Sequence, residues 1–288
     1  MYRSIKFAIV IVCLMPWSCL RSDAQDLGSQ PLLRVLAAYD ANRPGGTRII
    51  GGHDTTIAAH PWQVALVATR VAANDKSQFC GGSVIGARWV LTAAHCVDGG
   101  TRPDQIAVLT GTASLVDVGV RVSVAPQGIL VHPRWNSKTH DSDLALIRAS
   151  SDLGGKAIVG LRANDTGPSQ GQDITVTGWG SRSWDSSIGT NILQEVSVPF
   201  QPQMTCNQKG SYGGHVTDNM FCAGKTGEDA CQRDSGGPAT FTVSTETRLV
   251  GVVSWGDKCG VPLKYGVYTR IAQFAAWVKD QTSGEVSW

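Results

Sequence analysis

The chain has 288 residues, 42% apolar and 17% charged, with a formal net charge of +2. That is enough chain for one or two domains with a full core, and the near-balanced charge, without any long single-sign run, excludes a dedicated polyanion binder. Nucleic acid is therefore not expected as a partner.

Arg3 and Lys6 precede the apolar run Phe7 to Trp17, and Ser22-Asp23-Ala24 offers small residues at a cleavage point. This is the pattern of a secretory signal peptide, assigned to residues 1–24, and it directs the chain to an extracellular or periplasmic space. The run is too short to span a bilayer as a helix, and no other apolar stretch is longer, so no membrane partner is expected. Two of the eight cysteines, Cys13 and Cys19, leave with the signal peptide. Six remain, an even number in an oxidising compartment, which predicts three disulfides among fifteen possible pairings. A structural zinc site is the competing reading, but no C-x-x-C or clustered Cys/His spacing supports it. No metal and no cofactor is expected.

Residues 25–48 are polar and rich in breakers, ending Asn42-Arg43-Pro44-Gly45-Gly46-Thr47-Arg48. Their one apolar patch, Leu32 to Ala38, reads as a helical turn or as no structure. The character changes at Ile49-Ile50-Gly51-Gly52 to short β-branched segments bounded by turn residues, as in an all-β barrel or sandwich. Val64-Ala65-Leu66-Val67, Trp89-Val90-Leu91-Thr92, Ile174-Thr175-Val176-Thr177 and Leu249-Val250-Gly251-Val252-Val253 are such segments. Val196, Val198 and Phe200 alternate with polar or breaker residues, the mark of a half-buried strand. Only the end reads as helix, with Ile271, Phe274, Ala275 and Val278 on one face.

Three stretches carry chemistry. Asp229-Ala230-Cys231-Gln232-Arg233-Asp234-Ser235-Gly236-Gly237-Pro238 presents a serine on a tight turn with little side chain around it. A serine hydroxyl is a poor nucleophile unless a base reaches it. Ala93-Ala94-His95-Cys96 supplies a base, and Asp141-Ser142-Asp143-Leu144-Ala145-Leu146 supplies an orienting carboxylate. Asp141 rivals Asp143, but the apolar run begins directly after Asp143 and places it at the entrance of a buried strand. The order His, Asp, Ser excludes the α/β-hydrolase arrangement, whose order is Ser, Asp, His.

These contexts, together with Pro61-Trp62-Gln63-Val64, Gly178-Trp179-Gly180, Ser254-Trp255-Gly256 and Gly266-Val267-Tyr268-Thr269-Arg270, resemble the chymotrypsin family of serine endopeptidases and its trypsin-like members over residues 49–288. The resemblance implies an all-β fold: two six-stranded antiparallel β-barrels side by side, spanning about 49–160 and 161–288, with a C-terminal α-helix. It places His95 and Asp143 on the first barrel and Ser235 on the second. It also selects the pairings Cys80–Cys96, Cys206–Cys222 and Cys231–Cys259, each worth about 3 kcal/mol in the loop-entropy picture.

Roles follow from the same resemblance. Ser235 attacks the scissile carbonyl, His95 carries the proton, and Asp143 fixes the imidazole tautomer. The backbone N–H groups of Arg233 and Ser235 form the oxyanion hole. The family usually has glycine where Arg233 stands, and the arginine is expected to obstruct rigid inhibitors and favour acidic residues after the cut. Asp229 lies at the base of the specificity pocket, walled by Ser254, Trp255, Gly256 and Gly266, and pairs with a substrate guanidinium or ammonium. Ala230 replaces a serine found in some relatives, which favours Arg over Lys. His140 is expected to line the site for the second substrate residue. His53, His60, His132 and His215 are expected to be surface or structural.

Residues 25–48 read as an activation peptide cut after Arg48 by another protease. The new amine of Ile49 would then pair with Asp234 and order the pocket, and no cysteine would tether the released peptide. The expected partners are protein or peptide substrates with Arg or Lys before the scissile bond, the activating protease, and protein inhibitors; the expected state is a monomer. The alternative is a catalytically impaired homologue acting as a binding or regulatory module, with Arg233 as the impairing residue.

Overall fold

The structure is a computed structural model that describes residues 30–40, 52–117, 119–162, 165–180, 189–230 and 233–288, with the backbone alone for 38–40. The signal-peptide assignment, the Arg48–Ile49 junction and Cys231 lie outside the described residues.

A two-residue strand β1 (His53–Asp54) precedes the first barrel. That barrel is built from β2 (Gln63–Ala68), β3 (Gln78–Gly86), β4 (Trp89–Thr92), β5 (Ile106–Thr110), β6 (Val120–Val131) and β7 (Ala145–Ala149). Its strands close in the order β2-β3-β4-β7-β6-β5, every pairing antiparallel. The second barrel holds β8 (Asp173–Gly178), β9 (Gln194–Gln201), β10 (Met220–Ala223), β11 (Pro238–Val243), β12 (Glu246–Trp255) and β13 (Gly266–Arg270). The β8–β9 pairing closes this ring, and β1 adds to its β9 edge. Closure removes the open edges that a flat sheet would present to other chains.

Burial explains why some strands read as continuous apolar runs. In β2, Val64, Leu66 and Ala68 point into the first barrel's interior cluster. Ala65 and Val67 join a different cluster with Trp179 and Leu193 of the second barrel. Both faces of β2 are therefore covered, and alternation disappears. By contrast, β9 keeps Val196 and Val198 buried while Ser197 is exposed, which preserves the alternation.

The C-terminal segment runs as a 3-10 turn (Ile271–Phe274) into an α-helix (Ala275–Gln281). Although it follows the second barrel, Ile271, Phe274, Val278 and Val286 are buried in the first barrel's cluster. Beyond the helix, Glu285 accepts a 3.0 Å hydrogen bond from the Trp89 indole on β4, and the Trp288 ring lies against Gly160.

The patch Leu32 to Ala38, left between a turn and no structure, lies in a ten-residue helix, α1 (Pro31–Asp40). Pro31 suits the first helical position, where its missing N–H has no intrahelical partner to lose. Leu32, Val35 and Leu36 fall on one face; the first two are buried and the third packs beside them on the first barrel's cluster. So short a helix is marginal alone in water, and its docked face is what stabilises it.

Candidate active site

Asp143 sits just ahead of β7, in a loop where His140 and Ser142 adopt left-handed backbone angles (φ 56° and 57°). These bends turn a fully buried carboxylate toward His95. One oxygen accepts from the His95 backbone N–H at 2.9 Å, and the other lies 2.7 Å from the ring Nδ1. The Ser254 hydroxyl donates to that second oxygen at 2.5 Å. Ser254 is aimed there by a register shift between Val253 and Trp255, a bulge that re-points one side chain of β12. From β13, Thr269 donates to the Asp143 carbonyl at 2.8 Å. Asp141 is spent elsewhere, accepting from Thr217 at 2.5 Å and from Asn219 at 3.0 Å. Of the two aspartates, Asp143 is the one hydrogen-bonded to His95.

Electrostatics follow from these partners. Burial alone would raise the Asp143 pKa, but the His95 charge and the hydrogen bonds from His95 and Ser254 hold it below the ordinary carboxylate value. Burial likewise opposes charging of His95, and the Asp143 carboxylate outweighs it, so the imidazole is more basic than usual. His140 stands edge-on to His95 at 6.3 Å between ring centres and tilts toward Trp255 at 6.1 Å. Its burial pushes its pKa down.

Ser235 reaches the junction through backbone contacts between the barrels. Its carbonyl accepts from the Gly81 N–H on β3 at 2.8 Å. Gly236 has φ 80°, and a Cβ there would lie 2.6 Å from the Gly81 carbonyl and 3.2 Å from the Ala93 nitrogen. Only glycine allows this approach, which sets Ser235 against the segment leading into His95.

A cavity of about 330 Å³ opens beside Ser235. Its lining includes Asp229, Ala230, His140, Ser254, Trp255, Gly256 and Gly266, so every residue expected in the pocket is there. Asp229 is 3% exposed. Its Oδ2 accepts from Gly260 N–H at 3.2 Å, and its Oδ1 has no hydrogen-bond partner among the described residues. A Cβ at Gly266 would come within 2.6 Å of that free oxygen, so glycine there keeps the carboxylate open to the cavity. Desolvation pushes the Asp229 pKa up to about 8, only partly offset by nearby backbone N–H groups.

Asp234 is fully buried, and its Oδ1 accepts from the Gly180 N–H at 2.8 Å. Its expected partner, Ile49, lies outside the described residues, as does Arg48. Arg233 adopts φ 73°, the left-handed region that costs a non-glycine residue about 1–2 kcal/mol. Its side chain passes over Gly189 into electrostatic reach of Asp75.

One contributor had no local signal in the sequence. Gln78, buried at the start of β3, donates to the Arg233 carbonyl at 3.0 Å and so pins the backbone between the two N–H groups of the expected oxyanion hole. Tyr268 is another. It stacks on Phe221 at 5.1 Å under the pocket, with its hydroxyl close to Gly266.

Disulfides join Cys80 to Cys96 and Cys206 to Cys222, as expected. Cys259 is also disulfide-bonded. The Cys80–Cys96 bond ties β3 to the turn carrying His95. Among the described residues, Cys80, His95 and Cys96 are the one group with ligand atoms close enough for a metal. The disulfide consumes both sulfurs, leaving a single ligand. No helix among the described residues is long and apolar enough to cross a membrane.

Two closed barrels with an imidazole–carboxylate pair, a serine and an acidic cavity at their junction define a class of hydrolase scaffold. The trypsin family model matches residues 49–278. Trypsin Blo t 3 of Blomia tropicalis is 36% identical over 241 residues, covering 81% of this chain and 85% of its own length. Trypsin Tyr p 3.0101 of Tyrophagus putrescentiae is 40% identical over 241 residues, covering 80% and 79%. Transmembrane protease serine 5 of Homo sapiens is 36% identical over 245 residues, covering 83% of this chain but 52% of that protein. The chain belongs to the trypsin-like serine protease family.

Proposed function

We propose that this protein is a secreted serine endopeptidase, made as a zymogen, that cuts after Arg and less readily after Lys. The observation that carries the reading is the buried Asp229 carboxyl, unpaired at Oδ1, at the base of the cavity beside Ser235. In this reading Ser235 Oγ attacks the scissile carbonyl carbon while His95 Nε2 takes its proton. The negative oxygen settles on the Arg233 and Ser235 N–H groups. The C–N bond then breaks as His95 returns the proton to the leaving amine. Water, deprotonated by His95, hydrolyses the acyl-enzyme and restores Ser235. Asp143 keeps Nδ1 protonated and stabilises the imidazolium throughout.

Arginine is favoured because its guanidinium spans the carboxylate in two bonds, whereas Ala230 offers a lysine ammonium no hydroxyl. Ala230→Ser should therefore narrow the Arg-over-Lys ratio in kcat/KM. Residues 25–48 act as the activation peptide, and Ile49 pairs with Asp234 once Arg48 is cut.

The test is hydrolysis of an arginyl peptide amide before and after nicking at Arg48. Activity that appears with the nick and is absent in Ser235→Ala supports the reading. A verified, folded, nicked protein that neither cuts the substrate nor takes an organophosphonate label overturns it. That outcome favours the second reading, a binding or regulatory homologue, to which the left-handed Arg233 gives weight.

A further inference from the structure

Helix α1 precedes the protease domain, yet it is seated on that domain beside the reaction centre. It lies against β2, β3, the Asn74–Ser77 turn and the Ala94–Cys96 turn that carries His95. Leu32 and Val35 are 3% and 4% exposed, in one cluster with Phe79, Cys80 and Cys96. The Gln30 side chain lies over Gly99, just past the His95 turn. The Arg34 charge is near enough to oppose protonation of His95. The start of β3, against which α1 lies, holds the backbone around Ser235: Gln78 pins the Arg233 carbonyl and Gly81 the Ser235 carbonyl. The Asp229 cavity has no α1 residue in its lining.

We infer that the first-barrel bank of the cleft, between the Asn74–Ser77 and Ala94–Cys96 turns, is a docking surface for the chain's own Pro31–Asp40 helix, which covers that bank and leaves the Asp229 pocket open. Three apolar side chains bury too little surface to offset the association entropy of a free peptide. A covalent link supplies an effective concentration on the order of millimolar, enough to keep so weak a contact formed. Docking is thus a property of the uncut chain. Cleavage at Arg48, which rests on the proposed activation, releases the helix by dilution and exposes the bank to a substrate's own side chains.

Amide hydrogen exchange on the uncut chain carrying Ser235→Ala tests the docking itself. Amides of 35–40 should exchange at least about tenfold more slowly than in a free peptide of residues 30–40. A Leu32→Asp, Val35→Asp double variant should lose that protection while β2 to β4 keep theirs. Peptide-like exchange in the uncut chain, or protection that survives the double variant, overturns the proposal. After cutting at Arg48, the fragment should separate on gel filtration at micromolar protein, and co-elution overturns the tether dependence. The free 30–40 peptide at millimolar concentration should slow cleavage of a long peptide severalfold and leave a short arginyl amide unaffected; equal effects on both overturn the stated geometry. If neither substrate is cut in any condition, the protease reading fails and the exchange result still decides the docking.

Discussion

Two buried aspartates near the junction of the barrels have pKa values displaced in opposite directions. Asp143, on the first barrel, is held below the ordinary value by His95 and Ser254. Asp229, on the second, is pushed up to about 8, with only backbone N–H groups opposing its burial. Burial is nearly the same, 0% and 3% exposed. What differs is whether the chain itself supplies the partner. On the proposed function, the carboxylate satisfied from within serves the machinery, and the one left wanting receives a charge brought from outside.

Removing the satisfied partner is the largest way to break this contrast. Asp143→Asn should lower kcat/KM by roughly 10⁴-fold, the family's own precedent for the equivalent change, and shift the acid limb of the pH–rate profile downward because His95 loses the charge that raises its pKa. Stopped assays across pH 5–9 would check both. Next, Asp229→Asn should cost roughly 10²–10³-fold against arginyl substrates through loss of a buried charge pair, with little change for a substrate bearing a neutral side chain. Equal losses on both would mean that Asp229 is structural.

A smaller effect sharpens the comparison through pH. A carboxyl whose folded pKa is about 8 favours folding when protonated, so its contribution is present at low pH and fades as pH rises toward 8. Asp229→Asn should therefore raise Tm at pH 8–9 in the absence of a cation. In the unsubstituted protein, binding of a small arylamidine should tighten between pH 6 and 8 and release a proton, which calorimetry in buffers of different ionisation enthalpy would read. Smallest is Ser254→Ala, which removes one hydrogen bond to the Asp143 carboxylate and should cost about 1.5–3 kcal/mol of stability, measured by urea unfolding.

Much of this was legible in the sequence where a local pattern carries long-range information. The run after Asp143 marked it as the strand-entry carboxylate, whereas the bonds that occupy Asp141 come from Thr217 and Asn219, at a distance that no local pattern reveals. Gln78 was illegible because a buried amide ahead of Phe79 has no signature until Arg233 is folded against it. Helix α1 stayed open between a helical turn and no structure for a similar reason. Its apolar stretch is short and flanked by breaker-rich segments, and a helix that exists because it is docked has its stability outside its own sequence.

The C-terminal tail has a consequence for how the molecule comes apart. Ile271, Phe274, Val278 and Val286 belong to the first barrel's core although they follow the second, and Glu285 and Trp288 clasp Trp89 and Gly160. The first barrel's core is then completed by a segment that follows the second, so heating should melt both in a single calorimetric transition, and trimming the tail before Glu285 should split that transition into two.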